Sequence, residues 1–356
     1  MPSSANPFLK RAVLVAGAAA ALLAALAAAA AGGPIVDSGS ERLYPLFNLW
    51  AHDYAAAHGG ERVATAWTTG GAAVAQAIDG EAAIAASDAY LSDAQMAENP
   101  GMLNIPVAMS SLMVNYNVPS ANDTHLQLSG PVIAAIYAGR IRYWNDKRIV
   151  AMNRGLSLPH RLIVPLRRSD ASADTQLFTS YLSASTPWWA KRTGSGSVVR
   201  WPAVPGAIDA AGSDGLVTAL EDNTYSIAYI GIHHEGQIEG AQLGEAALLN
   251  LGGNYVQPGV RNVQAAAAAG PKARSGARVN LVLARGAQSY PMVSYEYCIV
   301  RAKQPDAGRA SELKALLAWA VSPQGGNAAQ YLDRVGLLPL PAEVRQLALK
   351  QIDSIR

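Results

Sequence analysis

The residues with the clearest chemistry lie between Leu166 and Thr175, where two arginines precede a run of small and acidic residues. The apolar segment 162–166 predicts a buried strand, and apolar residues at helical spacing from Leu177 onward predict a helix after the turn. The first turn of a helix offers N–H groups without an intrahelical acceptor, so it can hold an anion without a metal. Arg168 could add a planar fork of donors that matches phosphate or carboxylate. An ordinary capped helix beside a surface arginine would give the same local pattern.

Three further junctions place glycine or hydroxyl residues ahead of a predicted helix, namely segments 38–42, 68–71 and 212–215. Glycine lets a ligand approach the backbone, and Ser or Thr can donate a hydrogen bond as well as cap a helix. Because helices commonly begin in this way, four such junctions in one chain remain compatible with chance.

The elements that would position these residues alternate along the chain, and that alternation predicts an α/β fold. The predicted strands are 82–86, 112–115, 162–166, 227–232, 279–284 and 293–300. The predicted helices are 46–57, 72–78, 131–137, 175–182 and 312–320. About 320 residues beyond the N-terminal segment exceed one small core and favour two domains.

The N-terminal segment predicts export. Lys10 and Arg11 precede an uncharged run from Ala12 to Gly33 that consists almost wholly of Ala, Leu and Val. This pattern is typical of a secretory signal, although ~20 apolar residues could also span a bilayer as an uncleaved anchor. Residues 1–33 are therefore interpreted as a signal peptide or N-terminal anchor, and the protein is expected in the periplasm, or else secreted or anchored by that segment.

Charge and reactive side chains argue against several classes of protein. The chain has 28 basic and 26 acidic residues, and the first 33 residues hold two of the basic ones, which leaves 26 of each sign. A net charge near zero argues against a nucleic-acid partner. The single Cys298 lies in an apolar run and is expected to be a buried structural thiol, and the six histidines are scattered, so neither a metal site nor another cofactor is expected.

Catalysis is not expected either. A hydrolase needs an activated nucleophile or a metal cluster. The nearest candidate nucleophile is Ser172 between Asp170 and Asp174, and no His/Asp/Glu cluster accompanies it.

Taken in order, several segments resemble the phosphate-binding proteins of ABC-type phosphate uptake systems, the PstS type of periplasmic binding protein. The segments are YPLFNLWAHDY, TTGGAAVAQAIDGEAAIAASDAYLSD, VNYNVP, IAAIYAGRIRYWND, VPLRRSDASADTQLFTSYL, GSGSVVRWP, GSDGLVTAL and SIAYIGI. The resemblance runs from about Ser38 to the C-terminus and implies a type II periplasmic-binding-protein fold. Two α/β domains joined by a two-strand hinge would then enclose a ligand cleft. Domain 1 would comprise residues 34–115 plus 297–356, and domain 2 would comprise residues 116–296.

The resemblance implies an exported solute-binding protein that captures an oxyanion for the membrane permease of an ABC importer, with inorganic phosphate as the leading ligand. Two alternatives stay open. One is a PstS-like protein with altered or lost phosphate binding that acts as a sensor, scaffold or adhesin. The other, less favoured, is a secreted phosphatase.

The resemblance also implies a set of ligand-binding residues. Asp88 corresponds to the carboxylate that accepts a proton from hydrogen phosphate and repels sulfate, which has no proton to give. Arg168 corresponds to the donor arginine, with Asp170 placed to orient it. The full set is Ser40, Glu41, Arg42, Thr69, Gly70, Asp88, Arg168, Asp170, Ser172, Ala173 and Asp174.

Two members of this set depart from the family. Glu41 and Asp174 stand where the family has hydroxyl donors. Unpaired carboxylates that face a dianion in a closed cleft would cost several kcal/mol. We therefore expect that these carboxylates turn away, or that Arg42 neutralises one of them, or that the ligand is not phosphate. Asp174 would also suit the first turn of a helix, where the helix dipole favours a negative charge.

Overall fold

The computed structural model describes residues 34–40, 42–58, 63–270 and 276–356, so the predicted signal segment 1–33 and Glu41 lie outside the described residues. The strands are β1 (Ile35–Gly39), β2 (Val63–Trp67), β3 (Ile84–Ser87), β4 (Met102–Tyr116), β5 (Gln127–Leu128), β6 (Val164–Arg168), β7 (Ile208–Ala210), β8 (Ser226–Gly231), β9 (Gly244–Glu245), β10 (Ala247–Leu249), β11 (Tyr255–Val256) and β12 (Val293–Arg301). The helices are α1 (Tyr44–Ala57), α2 (Gly70–Asp79), α3 (Asp93–Glu98), α4 (Gly130–Tyr137), α5 (Lys147–Met152), α6 (Ala173–Ser185), α7 (Pro187–Arg192), α8 (Gly212–Asp222), α9 (Glu235–Gly240), α10 (Val260–Ala269), α11 (Ala307–Ala320), α12 (Ala329–Leu332) and α13 (Ala342–Asp353).

One large mixed sheet organises these elements and confirms the predicted α/β class. Its strands follow the order β2-β1-β3-β12-β4-β8-β6-β7, with β9 added beside β4. The strands β1, β2 and β3 are parallel to one another, as are β6, β7 and β8. Between these two parallel groups, β12 and β4 run antiparallel to their neighbours. A small second sheet contains β11, β10 and β5.

The long strand β4 changes its pairing partner part of the way along. Residues 102–111 pair with β12, whereas residues 112–116 pair with β8. The sequence predicted only 112–115 as a strand, because Pro106 and the pair Ser110 and Ser111 interrupt the apolar pattern of the earlier part. The structure accommodates Pro106 where the β4–β12 register shifts between Glu296 and Tyr297, since proline is tolerated in a sheet near such an irregularity.

The predicted strand at 279–284 is wrong. No described strand includes this segment, and two of its N–H groups bind side chains, whereas those of Leu283 and Ala284 bind the carbonyl groups of Pro291 and Leu281. The N–H of Val279 donates to the hydroxyl of Tyr297 at 3.2 Å, and the side chain of Asn280 accepts from the N–H of Val282 at 2.9 Å. Asparagine side chains favour this local turn, so an apolar composition alone gave the wrong secondary structure here.

Apolar packing holds the helices that carry polar residues against the sheet. A buried cluster that includes Leu166, Leu216 and Ile230 joins β6, α8 and β8. On α6, the ring of Phe178 stacks on Tyr229 of β8 with centroids 4.3 Å apart. Burial of each such side chain contributes about 1.5–3 kcal/mol. The start of α6 is therefore fixed relative to the ends of β6 and β8.

Within the described ranges, none of the helices has both the length and the apolar character needed to cross a membrane.

Candidate functional site

A cavity of about 330 Å³ lies where the parallel strands of both groups end. The loops after β1, β2, β3, β6, β7 and β8 all contribute to its lining. Ligands in open α/β sheets bind outside the carboxyl ends of the strands, so the position suits a binding site. All the described residues of the predicted set line this cavity, namely Ser40, Arg42, Thr69, Gly70, Asp88, Arg168, Asp170, Ser172, Ala173 and Asp174.

Arg168, the last residue of β6, is held in a fixed orientation. Its side chain is 4% exposed, and its Nε and Nη2 donate to the two carboxylate oxygens of Asp170 at 2.9 and 2.6 Å. Its Nη1 donates to Ser213 at 2.8 Å. The hydrogen bonds from Arg168, together with one from the N–H of Gly212 at 3.1 Å, keep the pKa of Asp170 below its usual range. A guanidinium held by this bidentate pair can present a defined edge to the cavity.

Arg167, the residue before Arg168, shows how different the surroundings of two adjacent arginines are. Because side chains alternate along a strand, Arg167 points to the other side of β6. There it donates to the exposed Asp209 at 2.8 and 3.1 Å, and it is absent from the cavity lining. The same residue type therefore has two different environments at adjacent positions.

A second buried arginine bridges residues that are distant in the sequence. Arg42 donates through Nη1 to Ser110 on β4 at 2.8 Å and to Glu296 on β12 at 3.1 Å. Its Nη2 donates to Asp174, in the first turn of α6. Since Arg42 and Asp174 are 7% and 4% exposed, this is a buried ion pair across the cavity.

Asp174 therefore faces the cavity with its charge neutralised. Its second oxygen lies 3.5 Å from Ser213 Oγ and 3.7 Å from Arg168 Nη1. Burial alone would raise the pKa of Asp174, but the attraction of Arg42 and Arg168 keeps that pKa below its usual range. Of the three outcomes expected for the family departures, neutralisation by Arg42 is the one observed for Asp174. Glu41 lies outside the described residues.

Asp88, directly after β3, also lines the cavity. Ser40 donates its hydroxyl proton to Asp88 at 2.5 Å, so one carboxylate oxygen already has a donor. Buried Glu296 lies close enough for repulsion by Asp88 to act on it. Burial first, and this repulsion next, raise the pKa of Glu296, although Arg42 opposes the shift.

Two helix starts from different parts of the sequence line the same cavity. Thr69 caps α2 by accepting from the N–H of Ala72 at 3.4 Å, and Ser172 caps α6 by accepting from the N–H of Thr175 at 3.2 Å. The other N–H groups of each first turn, including that of Gly70, have no intrahelical acceptor. Both helix starts can thus contribute donors and a partial positive charge.

The structure adds residues that sequence reasoning did not assign to the site. Ser213 follows β7, in the junction 212–215 for which the sequence predicts no ligand-binding residue, and His233 follows β8. Burial and the nearby Arg42 lower the pKa of His233 to about 3, so its ring is neutral at neutral pH. Ser110 and Glu296 were missed as supports of Arg42, although a glutamate inside an apolar strand was a visible signal.

Among residues 34–40, 42–58, 63–270 and 276–356, there is no group of three or more His, Cys, Asp or Glu that could hold a metal ion. Cys298 is buried and free, as the sequence predicted.

The fold and the cavity together define an α/β binding protein with its ligand site at the strand ends. A sequence model described as the PBP superfamily domain matches residues 24–324. The phosphate-binding protein PstS of Pasteurella multocida is 31% identical over 318 residues, which cover 88% of each chain. PstS of Methanocaldococcus jannaschii is 31% identical over 269 residues, covering 71% of this chain and 68% of the relative. The chain belongs to the PstS family of phosphate-binding proteins.

Solved structures agree with this fold. A human phosphate-binding apolipoprotein superposes with a TM-score of 0.66 and 18% identity, covering 87% of this chain and 92% of that one. An ABC-type phosphate transport receptor from Vibrio cholerae superposes with a TM-score of 0.57 and 16% identity, covering 86% of this chain and 100% of the receptor. These similarities confirm the predicted periplasmic-binding-protein fold.

Proposed function

We propose that this protein is an exported solute-binding protein that captures inorganic phosphate and delivers it to the membrane permease of an ABC importer. The observation that carries the proposal is the orientation of Arg168 by Asp170 beside two helix starts in one cavity. The relatives named as phosphate-binding proteins and the structural neighbour named as a phosphate transport receptor support the same ligand class.

In this proposal the cavity binds the anion through donors from both sides. Arg168 donates from the end of β6, and the first-turn N–H groups of α2 and α6 donate from two separate helix starts. Asp88 accepts the proton of hydrogen phosphate, which sulfate does not carry. Asp174 has to share Arg42 and Ser213 with the anion, because these groups already bind its carboxylate.

We also propose that the cavity is the cleft between two domains, made of residues 34–115 plus 297–356 and of residues 116–296. The change of pairing partner within β4, at Ser111 and Leu112, supports a division near this point. Closure of the domains would exclude water and strengthen each charged hydrogen bond in the lower dielectric.

Two further parts of the proposal concern catalysis and location. We propose that the protein is not an enzyme, and the contacts of Ser172, the nearest candidate nucleophile, support this. The hydroxyl of Ser172 accepts from the N–H of Thr175, while Asp170 binds Arg168 and Gly212. Export to the periplasm rests on the apolar N-terminal segment.

The test is calorimetric titration of the wild type, Arg168→Ala and Arg167→Ala with phosphate and sulfate. Loss of a buried charged donor costs about 2–5 kcal/mol of binding, so Arg168→Ala should weaken phosphate binding at least thirtyfold. Arg167→Ala is the matched control and should bind phosphate as the wild type does. Equal affinity of Arg168→Ala and the wild type would contradict the assignment. A wild type that binds no phosphate would favour the sensor or scaffold alternative.

A further inference from the structure

We propose that the same site also takes phosphate monoesters with an apolar or aromatic substituent, which would occupy a second cavity beside the first. This inference rests on the proposed function, because the phosphoryl group would bind where inorganic phosphate does.

The second cavity is larger than the first and adjoins it. Its volume is about 790 Å³. The two cavities share lining residues from the loop after β3 and from the start of α6, namely Asp88, Ala89, Tyr90, Ser92, Ala173 and Gln176. Since the loop after β3 and the start of α6 line both cavities, a ligand held in the first could extend into the second. Inorganic phosphate alone would leave this space unused.

The chemistry of the second cavity suits an organic group. Its lining includes aliphatic side chains and the rings of Tyr90, Tyr295 and Tyr297. The rings of Tyr90 and Tyr297 meet edge to face with centroids 5.7 Å apart. Four charged residues also line it, Asp88, Asp93, Arg278 and Arg285, and Asp93 pairs with Arg278 at 2.6 Å. Apolar and aromatic side chains combined with polar groups that fix the orientation of a ligand are characteristic of small-molecule sites.

The acceptor role proposed for Asp88 sets the ionisation state of such a ligand. A monoester loses its last phosphate proton near pH ~6, whereas inorganic hydrogen phosphate keeps a proton well above neutral pH. The ester oxygen itself cannot donate a proton. An ester therefore binds with Asp88 as the monoanion, and its affinity relative to inorganic phosphate falls as the pH rises above about 6.

The experiment measures binding of inorganic phosphate, methyl phosphate and phenyl phosphate to the full-length wild type at about pH 5.5 and about pH 8. At the lower pH, phenyl phosphate should bind at least tenfold more tightly than methyl phosphate, because only its ring can fill the second cavity. At the higher pH, phenyl phosphate should lose at least tenfold relative to inorganic phosphate.

Two variants on α6 locate the substituent. Ser180 lines the second cavity only, and Ser180→Trp should weaken phenyl phosphate at least tenfold while inorganic phosphate binds within threefold of the wild type. Ala184→Trp, one turn later and outside both linings, is the matched control. If phosphate binds but phenyl phosphate binds no better than methyl phosphate, the inference is wrong and the proposed function stands. If no ligand binds, both are wrong.

Discussion

Replacement of Asp174 by asparagine tests how the site tolerates its own carboxylate. Asp174→Asn keeps the shape of the side chain and removes its charge. In the structure this charge binds Arg42 and lies 3.7 Å from Arg168 Nη1. Removal should therefore free donors on both arginines for a phosphate ion in the cavity.

The magnitude follows from Coulomb's law. At a separation of ~5 Å and an effective dielectric constant of ~20, Asp174 repels each unit of ligand charge by about 3 kcal/mol. Arg42 offsets much of this repulsion, since it already sits against Asp174. We therefore expect a net gain of at least ~1.4 kcal/mol, which is a tenfold tighter phosphate affinity.

The free protein should respond in the opposite direction. Removal of one partner of a buried ion pair leaves the other charge poorly compensated, but Glu296 and Ser110 still bind Arg42. The free energy of unfolding without ligand should thus fall by about 1–3 kcal/mol. Phosphate should then stabilise the variant more than it stabilises the wild type.

Calorimetric titration with phosphate and urea unfolding with and without phosphate measure both effects. Asp209→Asn, which removes the surface partner of Arg167, is the matched control and should change neither quantity. Phosphate affinity that is unchanged or weaker in Asp174→Asn would refute the reasoning, because Asp174 would then not compete with the anion for Arg42 and Arg168.

Two further predictions concern Asp88 and His233. Asp88→Asn replaces an acceptor-only carboxylate with an amide that can donate, so the preference for phosphate over sulfate should shrink. Parallel titrations with the two anions measure this preference. An unchanged ratio of the two affinities would count against proton recognition by Asp88. The folded-state pKa of His233, about 3, lies below its ordinary value of 6.5, so this group contributes stability above pH 6.5 that is lost as the pH falls toward 3. The urea midpoint of the wild type should therefore decline as the pH falls through that window. The decline should be less steep in His233→Gln than in the control His52→Gln, which replaces an exposed histidine. Equal slopes in the two variants would show that burial of His233 does not control the decline.

Local patterns predicted the parts of the site that are close in sequence. The sequence from Arg168 to Asp174 contains the arginine, the residue that orients it and the helix start, so one strand-turn-helix unit brings them together. Tertiary contacts could not be predicted in the same way. Arg42 contacts Ser110, Asp174 and Glu296, which are 68, 132 and 254 residues away along the chain. No spacing rule encodes such a set of contacts.

The strand errors have a related cause. Hydrophobic periodicity reports burial, and burial does not distinguish a ladder strand from a buried irregular segment. Residues 279–284 are apolar because Val279, Leu281 and Ala284 are buried in the core, and the earlier part of β4 contains serines because one of them binds Arg42. In β4 the serine serves the site, so the pattern there departs from that of a strand that only fills a core.

The attachment of Arg42 to β4 and β12 gives the site a mechanical property. Two hydrogen-bonded strands bend out of their common plane more easily than they slide past each other, because sliding would break the hydrogen bonds between them. Ser110 and Glu296 lie on these strands, so a bend there moves the two side chains that hold the guanidinium of Arg42. If the two proposed domains move about these strands, the same two strands connect the domains and hold the guanidinium of Arg42. Their stiffness would then set both how far the proposed cleft opens and where that guanidinium points.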